Sequence, residues 1–387
     1  MRPKDSGPEF LYWILALVLI ALLAWIWLHP RAQPPAETSR AKSHPAQPAP
    51  VKSSASASAQ AGVTNPAPPV RLATPTNRVP ASVTTTTAPP LTAVVSNPPP
   101  RAASRFSPAA LEAQLALARR GISSGSLDGV IGSQTRAALR AFQTAENLPV
   151  TGDLDAATRE RLAFAGPAYG TYVVAPEDLD RLLPMSDTWL GKSQQPRLDY
   201  ETILELVSEK AHAHPGLIRL LNPGVTWTNV AAGTELKVPA PVSPALRKIA
   251  SIHIQLEAKT LEAFDADGRL VVHFPCSIAR RVEKRPVGVL HVKAVALGPN
   301  YTFDPDIFPE SAEAKQIKGK LILQPGPNNP VGLAWIGLDL PGYGIHGTPK
   351  PEDVGRTESH GCFRLANWNA ELLAKMAWIG LPVSIDP

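Results

Sequence analysis

The chain has 387 residues, 44% of them apolar, a formal charge of +5 and 42 unevenly placed prolines. That length has room for two or three domains, and two cysteines exclude a disulfide framework. The surplus charge does not point to nucleic acid: residues 31–105 carry eight Lys/Arg against Glu37 alone, whereas residues 248–387 carry fifteen of each sign. A solvated basic tether accounts for that distribution.

Residues 1–29 read as a membrane anchor. Phe10 to Leu28 is a run of nineteen residues without a charge, the length that crosses a bilayer as a helix. Tyr12, Trp13, Trp25 and Trp27 lie near its ends, as interfacial aromatics do. No small-residue cleavage site follows, which argues against a removed signal peptide. Charge alone leaves the orientation open, because Asp5 and Glu9 dilute Arg2 and Lys4, while Arg31, Arg40 and Lys42 follow the helix. Residues 30–105 hold sixteen prolines and no Phe, Trp or Tyr. Such a segment is too poor in apolar surface to offset the entropy of ordering, and is expected to be a disordered spacer. At about 3.1 Å per residue it reaches on the order of 200 Å when extended.

Residues 106–166 read as three short helices. Ser107-Pro108 is a cap followed by proline at the first helical position. Leu111, Leu115 and Ala118 mark one face, and Gly121 stops the helix. A turn-rich loop follows, then a helix that Ser133 can cap, with Leu139 and Phe142 facing inward; a third begins at Asp153 or Asp155. Asp128-Gly129, Gly132, Thr135, Ala138-Leu139, Phe142-Gln143, Leu148, Thr151-Gly152 and Thr158 form a spaced pattern that resembles the peptidoglycan-binding helical repeat of wall enzymes.

Residues 170–241 read as strand, two helices broken at Pro215, and a closing strand. This β-α-α-β order, with "LLNPG" and a terminal G-x-x-L-x-V-P, resembles a lysin-motif (LysM) module. An insertion, Leu182 to Asp199, interrupts it. A module that only packs on its neighbour is the competing expectation.

From Lys248 the apolar period becomes two, and "DADG" joins two strands as a hairpin. One helix stands out, "NWNAELLAKMAWIG", with an Asn cap and a Gly stop. Residues 248–387 are thus a mainly β domain. Within it, His346 ends a strand, Gly347 follows, and a Pro-containing loop leads to Ser359-His360-Gly361-Cys362. A thiol becomes a strong nucleophile when an imidazole takes its proton, so the expected reactive state is a thiolate–imidazolium pair. Its thiol pKa should lie below about 8.5 and its imidazole pKa above about 6.5. Gly361 would let backbone N–H groups approach a substrate carbonyl. A buried inert cysteine would sit in apolar surroundings, as Cys276 does on its strand. A closed zinc site would need four ligands at compact spacing, and no matching Cys pair is present.

I-H-G-T, ten residues, then S-H-G-C-F-R resembles the L,D-transpeptidase catalytic domain, over about residues 248–387. The resemblance implies Cys362 as nucleophile, His346 as base, and the Gly347 carbonyl as third member. It implies that His360, Gly361 and Ser359 shape the oxyanion region, with Arg364 nearby. Where the family has Thr-Pro-x-Gly, this chain has Arg285-Pro286-Val287-Gly288, a departure expected on the substrate side. The implied substrates are peptidoglycan stem peptides, with glycan as a further partner and a lipoprotein lysine as an alternative acceptor. No metal or organic cofactor is implied. A hydrolase of the same fold, or a wall-binding anchor without activity, are the other expectations; the intact His346/Cys362 pair argues against the last. A substrate outside the cytoplasm orients the anchor with its N-terminus inside and the catalytic domain in the periplasm or wall space.

Overall fold

The computed structural model describes residues 106–163, 166–240, 243–308, 311–357, 359 and 361–387. The expected anchor and spacer lie outside these residues, as does His360. Among the described residues no helix is long and apolar enough to cross a membrane.

Three helices, α1 (Pro108–Arg119), α2 (Ser133–Ala145) and α3 (Ala156–Leu162), open the described chain. Ser107 caps α1 by accepting the Ala110 N–H at 3.4 Å, and Asp155 caps α3 by accepting that of Thr158 at 2.8 Å. Ser133 is not the cap of α2: Gly132 takes that position without a side-chain bond. Two buried glutamines organise the unit in the same way. Gln114 Oε1 accepts the Gly129 N–H at 2.9 Å while its Nε2 donates to Thr135 Oγ1 at 3.1 Å. Gln143 Oε1 accepts the Gly152 N–H at 2.8 Å while its Nε2 donates to Thr158 Oγ1 at 2.9 Å. Each loop and the helix after it are therefore tied to the preceding helix by one fully used carboxamide, an internal repeat that satisfies buried polar groups. The Asp-Gly and Thr-Gly residues of the sequence pattern are consumed in this scaffolding.

The α1 helix is buried on more than the one expected face. Leu111 and Leu115 enter the core of the next module, while Ala113, Ala116 and Leu117 serve its own. That next module pairs β1 (Tyr169–Val173) antiparallel with β2 (Glu235–Pro239). Between them lie two short helices, α4 (Pro176–Asp180) and α5 (Trp189–Gln194), and two core helices, α6 (Ile203–Lys210) and α7 (Pro215–Leu221). Asn222 of "LLNPG" donates to the Ile218 and Lys237 carbonyls at 2.8 Å and accepts the Lys237 N–H at 2.7 Å, fastening α7 to β2.

The remaining strands are β3 (Ser251–Gln255), β4 (Thr260–Phe264), β5 (Leu270–Pro275), β6 (Gly288–Leu297), β7 (Tyr301–Phe303), β8 (Leu321–Leu323), β9 (Ala334–Leu338), β10 (Gly344–His346), β11 (Phe363–Arg364) and β12 (Pro382–Asp386), with helix α8 (Asn367–Met376) before the last. Eight form one sheet in the order β11-β10-β9-β6-β12-β3-β4-β5; β7 and β8 make a separate pair. Inward residues alternate as the period demands, Ile252 and Ile254 on β3 and Val383 and Ile385 on β12. Together with Leu373 of α8 they fill one core that also takes Cys276.

The loop between α1 and α2 joins all three units. Ser123 N–H donates to the His273 carbonyl at 2.8 Å, and His273 N–H to that of Gly121 at 3.0 Å, which covers the sheet edge at β5. Gly121 has φ +81, and a Cβ there would meet the Val271 carbonyl oxygen at 2.6 Å. Further along, Leu127 N–H donates to the His212 carbonyl at 2.9 Å, and His214 N–H returns to Leu127 at 2.9 Å. The insertion is the second clamp. Trp189 stacks on Phe303 of β7 with centroids 4.3 Å apart, and Leu198, Phe303, Ala314 and Leu323 form a small shared core.

Candidate active site

Strand β10 lies between β9, which it pairs antiparallel, and β11, which it pairs in parallel with His346 opposite Arg364. His346 is 5% exposed, and its ring stacks on Trp335 at 5.6 Å. Its Nδ1 stands 2.6 Å from the Gly347 carbonyl oxygen. A carbonyl only accepts, so Nδ1 carries the hydrogen and Nε2 keeps its lone pair. Burial pushes the imidazole pKa down to about 4, only partly opposed by the Gly347 carbonyl, and Arg364 pushes it the same way as burial. The ring is a neutral base at pH 7.

The glycine after the histidine is required by space. A Cβ on Gly347 would meet Asn367 Oδ1 at 2.1 Å and Leu333 N at 3.1 Å. Gly332, at φ +61, leaves room for the same oxygen. Asn367 Oδ1 accepts the N–H of Thr348 at 2.9 Å and of Leu333 at 3.2 Å. Asn367 is thus not the cap of α8: Ala366 takes that position, and the Asn side chain is spent on the backbone beside His346.

Cys362 sits on a turn just ahead of β11. Ser359 Oγ donates to the Cys362 carbonyl at 2.5 Å and accepts the Gly361 N–H at 3.2 Å. The Gly361 amide is used inside the turn. Ser359 is held in turn by the Ile278 carbonyl at 2.8 Å and the Arg280 N–H at 2.9 Å. Arg285 explains itself at this point: its guanidinium donates to the Ala279 carbonyl at 2.7 Å and the Arg280 carbonyl at 3.2 Å, bracing the segment that carries Ser359. The Cys362 thiol is half-buried and points to the Gly342 carbonyl at 3.4 Å. Burial pushes its pKa up, against the pull of the Gly344 amide and of Arg364. Burial thus disfavours the charged form of both groups, the direction opposite to that expected of a thiolate–imidazolium pair. Arg364, itself largely buried, lies within electrostatic reach of both His346 and Cys362, and Tyr301 within reach of Cys362 and Arg364. Cys276 is fully buried in the core, where burial likewise pushes its thiol up.

Beside the turn lies a cavity of about 440 Å³ lined by Thr348, Lys350, Asp353 and Arg364 of the β domain and by Trp189 and Lys192 of the insertion. Sequence reasoning did not find Asn367, Trp335, Tyr301 or the insertion residues. For Asn367 the available signal, an Asn at a helix start, pointed to a cap.

Residues 250–385 match the family model for the L,D-transpeptidase catalytic domain, and residues 107–162 that for a putative peptidoglycan binding domain. The chain is 26% identical over 190 residues to the putative L,D-transpeptidase YkuD of Bacillus licheniformis, spanning 48% of this chain and 94% of that protein. It is 44% identical over 61 residues to the putative L,D-transpeptidase YqjB of Bacillus subtilis, 14% of this chain and 35% of that one. Among solved structures, the L,D-transpeptidase of Xylanimonas cellulosilytica overlaps 75% of this chain and 99% of its own at 16% identity, with a TM-score of 0.33. An overlap that loose leaves the assignment to the sequence matches. On these, the chain carries an L,D-transpeptidase catalytic domain behind a domain of the peptidoglycan-binding type.

Proposed function

We propose that the protein is an L,D-transpeptidase acting on peptidoglycan stem peptides, with Cys362 as nucleophile and His346 as base. The observation that carries the reading is the Nδ1–H bond of His346 to the Gly347 carbonyl at 2.6 Å. It leaves Nε2 as the acceptor for the thiol proton, in a ring that is neutral at working pH. The neutral pair implies that the proton leaves sulfur as sulfur attacks the carbonyl of the bond between an L-centre and D-Ala. A sulfur–carbon bond forms, the carbon–nitrogen bond breaks, and the imidazolium returns its proton to the departing D-Ala amine. The amine of a second stem, or a protein lysine, then attacks the thioester: a carbon–nitrogen bond forms, the carbon–sulfur bond breaks, and the amine proton passes through His346 back to the Cys362 sulfur, giving a 3→3 cross-link or a tethered protein.

The wall-binding modules would hold the enzyme on its polymer. For the LysM-like module the support is its β-α-α-β order; for the helical domain, its family match. The uncharged run Phe10–Leu28 and the proline-rich segment after it support a membrane anchor and a long tether, with the catalytic domain outside the cytoplasm. Mass spectrometry of the products from purified tetrapeptide muropeptides tests the reading. Release of D-Ala with a cross-linked dimer is expected. Release of D-Ala with only a tripeptide would make it a hydrolase, and no release would reject the substrate class.

A further inference from the structure

Helix α6 belongs to the LysM-like module, and Glu209 near its end reaches from that module to the catalytic domain. Its carboxylate is 9% exposed and receives the Asn367 Nδ2–H groups, with Nδ2 at 3.0 Å from Oε1 and 3.2 Å from Oε2. The Tyr200 hydroxyl is 3.4 Å from Oε1. The partner residue, Asn367, is fully buried and 158 residues away in sequence.

The carboxamide of Asn367 has two unlike ends, and each meets its complement. Its oxygen faces two donors, the N–H groups of Leu333 and Thr348. Its nitrogen faces only acceptors, the Glu209 carboxylate and the Pro327 carbonyl at 3.3 Å. That pattern settles which way the amide points. The oxygen so aimed occupies the space left by Gly332 and Gly347, and Gly347 is the residue whose carbonyl holds His346 Nδ1. A continuous polar path therefore runs from Glu209 through Asn367 and the Gly347–Thr348 backbone to the histidine. Burying a carboxyl is costly unless it is hydrogen-bonded. Burial, with Glu205 and Glu371 nearby, pushes the Glu209 pKa up to about 8, and the Asn367 and Tyr200 bonds oppose that rise.

We propose that Glu209 is a positioning residue for the catalytic domain, supplied by the neighbouring module, which orients Asn367 and through it the backbone that carries His346. The inference rests on the reading of His346 as the base. It makes the LysM-like module part of the active-site assembly rather than a wall-binding appendage alone.

The test uses the full chain and two readouts, muropeptide turnover and the rate of iodoacetamide labelling at Cys362, which needs no substrate. Glu209→Ala removes the acceptor, and a misplacement of the base should lower kcat and the labelling rate roughly tenfold to a hundredfold with KM little changed. Glu209→Gln keeps an acceptor oxygen for Asn367 and should recover most of both rates. Asn367→Asp sets two carboxyls face to face, and adding Glu209→Gln to it restores a donor–acceptor pair. The double variant should exceed the product of the single effects by fivefold or more. If Glu209→Ala retains both rates, or if the Asn367→Asp and Glu209→Gln effects simply multiply, the coupling is absent and the proposal fails. Should turnover be undetectable even in the wild type, the transpeptidase reading fails, while the labelling series still decides the coupling.

Discussion

His346 and Cys362 are held in different ways. The histidine ends a three-residue strand that has a partner strand on each side, and the residue after it is packed so tightly against Asn367 that no Cβ fits. The cysteine rides a short turn whose internal bonds converge on one hydroxyl, that of Ser359. The proposed base is built into the sheet, and the proposed nucleophile is carried by a piece that a local change can reshape. Substitutions on the two sides should therefore differ in kind. On the histidine side they should damage fold and rate together; on the cysteine side they should cost mainly rate.

The largest effect is expected from Gly347→Ala. The added methyl would meet Asn367 Oδ1 and the Leu333 amide, so overpacking should cost about 1–3 kcal/mol of stability. Displacement of the base should cost on the order of 10²-fold in kcat. Thermal melts and steady-state kinetics on one preparation check both; an active and stable variant would erase the contrast. Ser359→Ala comes next. It frees the Gly361 N–H and the Cys362 carbonyl, for about 1 kcal/mol of stability and roughly a tenfold loss in kcat, with little shift in Tm. A melt shifted as far as that of Gly347→Ala would mean that the turn is as deeply built in as the strand.

The pH profile sharpens the contrast without a mutation. With the imidazole pKa pushed down to about 4 by burial, the neutral base persists through mildly acid conditions. The folded group binds its proton less readily than the unfolded one, so stability is lost as pH falls from about 6.5 toward 4. The rate constant kcat/KM should hold from pH 7 to pH 5 and fall only near 4. A decline centred at 6.5 or above would contradict the lowered imidazole pKa. Labelling of Cys362 should keep rising beyond pH 9, because burial raises the thiol pKa. The smallest effect is expected from Trp189→Ala. Trp189 lines the cavity from the insertion and stacks on Phe303. Its loss should raise KM a few-fold and leave kcat near the wild-type value, read from initial rates over a range of donor concentration.

The motifs around His346 and Cys362 were readable because the chemistry is packed into two short stretches. The three helices of residues 106–166 were readable because caps, apolar period and glycines agree locally. What escaped was long-range. Asn367 obeys the local rule for a helix cap, and nothing near it in sequence announces Leu333, Thr348 or Glu209. Leu182–Asp199 reads as an interruption of one module, and only the fold shows it as a clamp on another through Trp189 and Leu198. Charge states escaped as well. A cysteine and a histidine in these motifs read as an ion pair, and the burial that disfavours both charges is a property of the assembled sheet.

The central claim is that Cys362, served by neutral His346, forms a thioester with the donor stem. Peptide mapping of the wild-type protein quenched during turnover of a tetrapeptide muropeptide tests it most directly. The account predicts an acyl group on Cys362, equal in mass to the donor less D-Ala, and its disappearance in Cys362→Ala. An acyl group on Cys276, or undiminished turnover in Cys362→Ala, would contradict it.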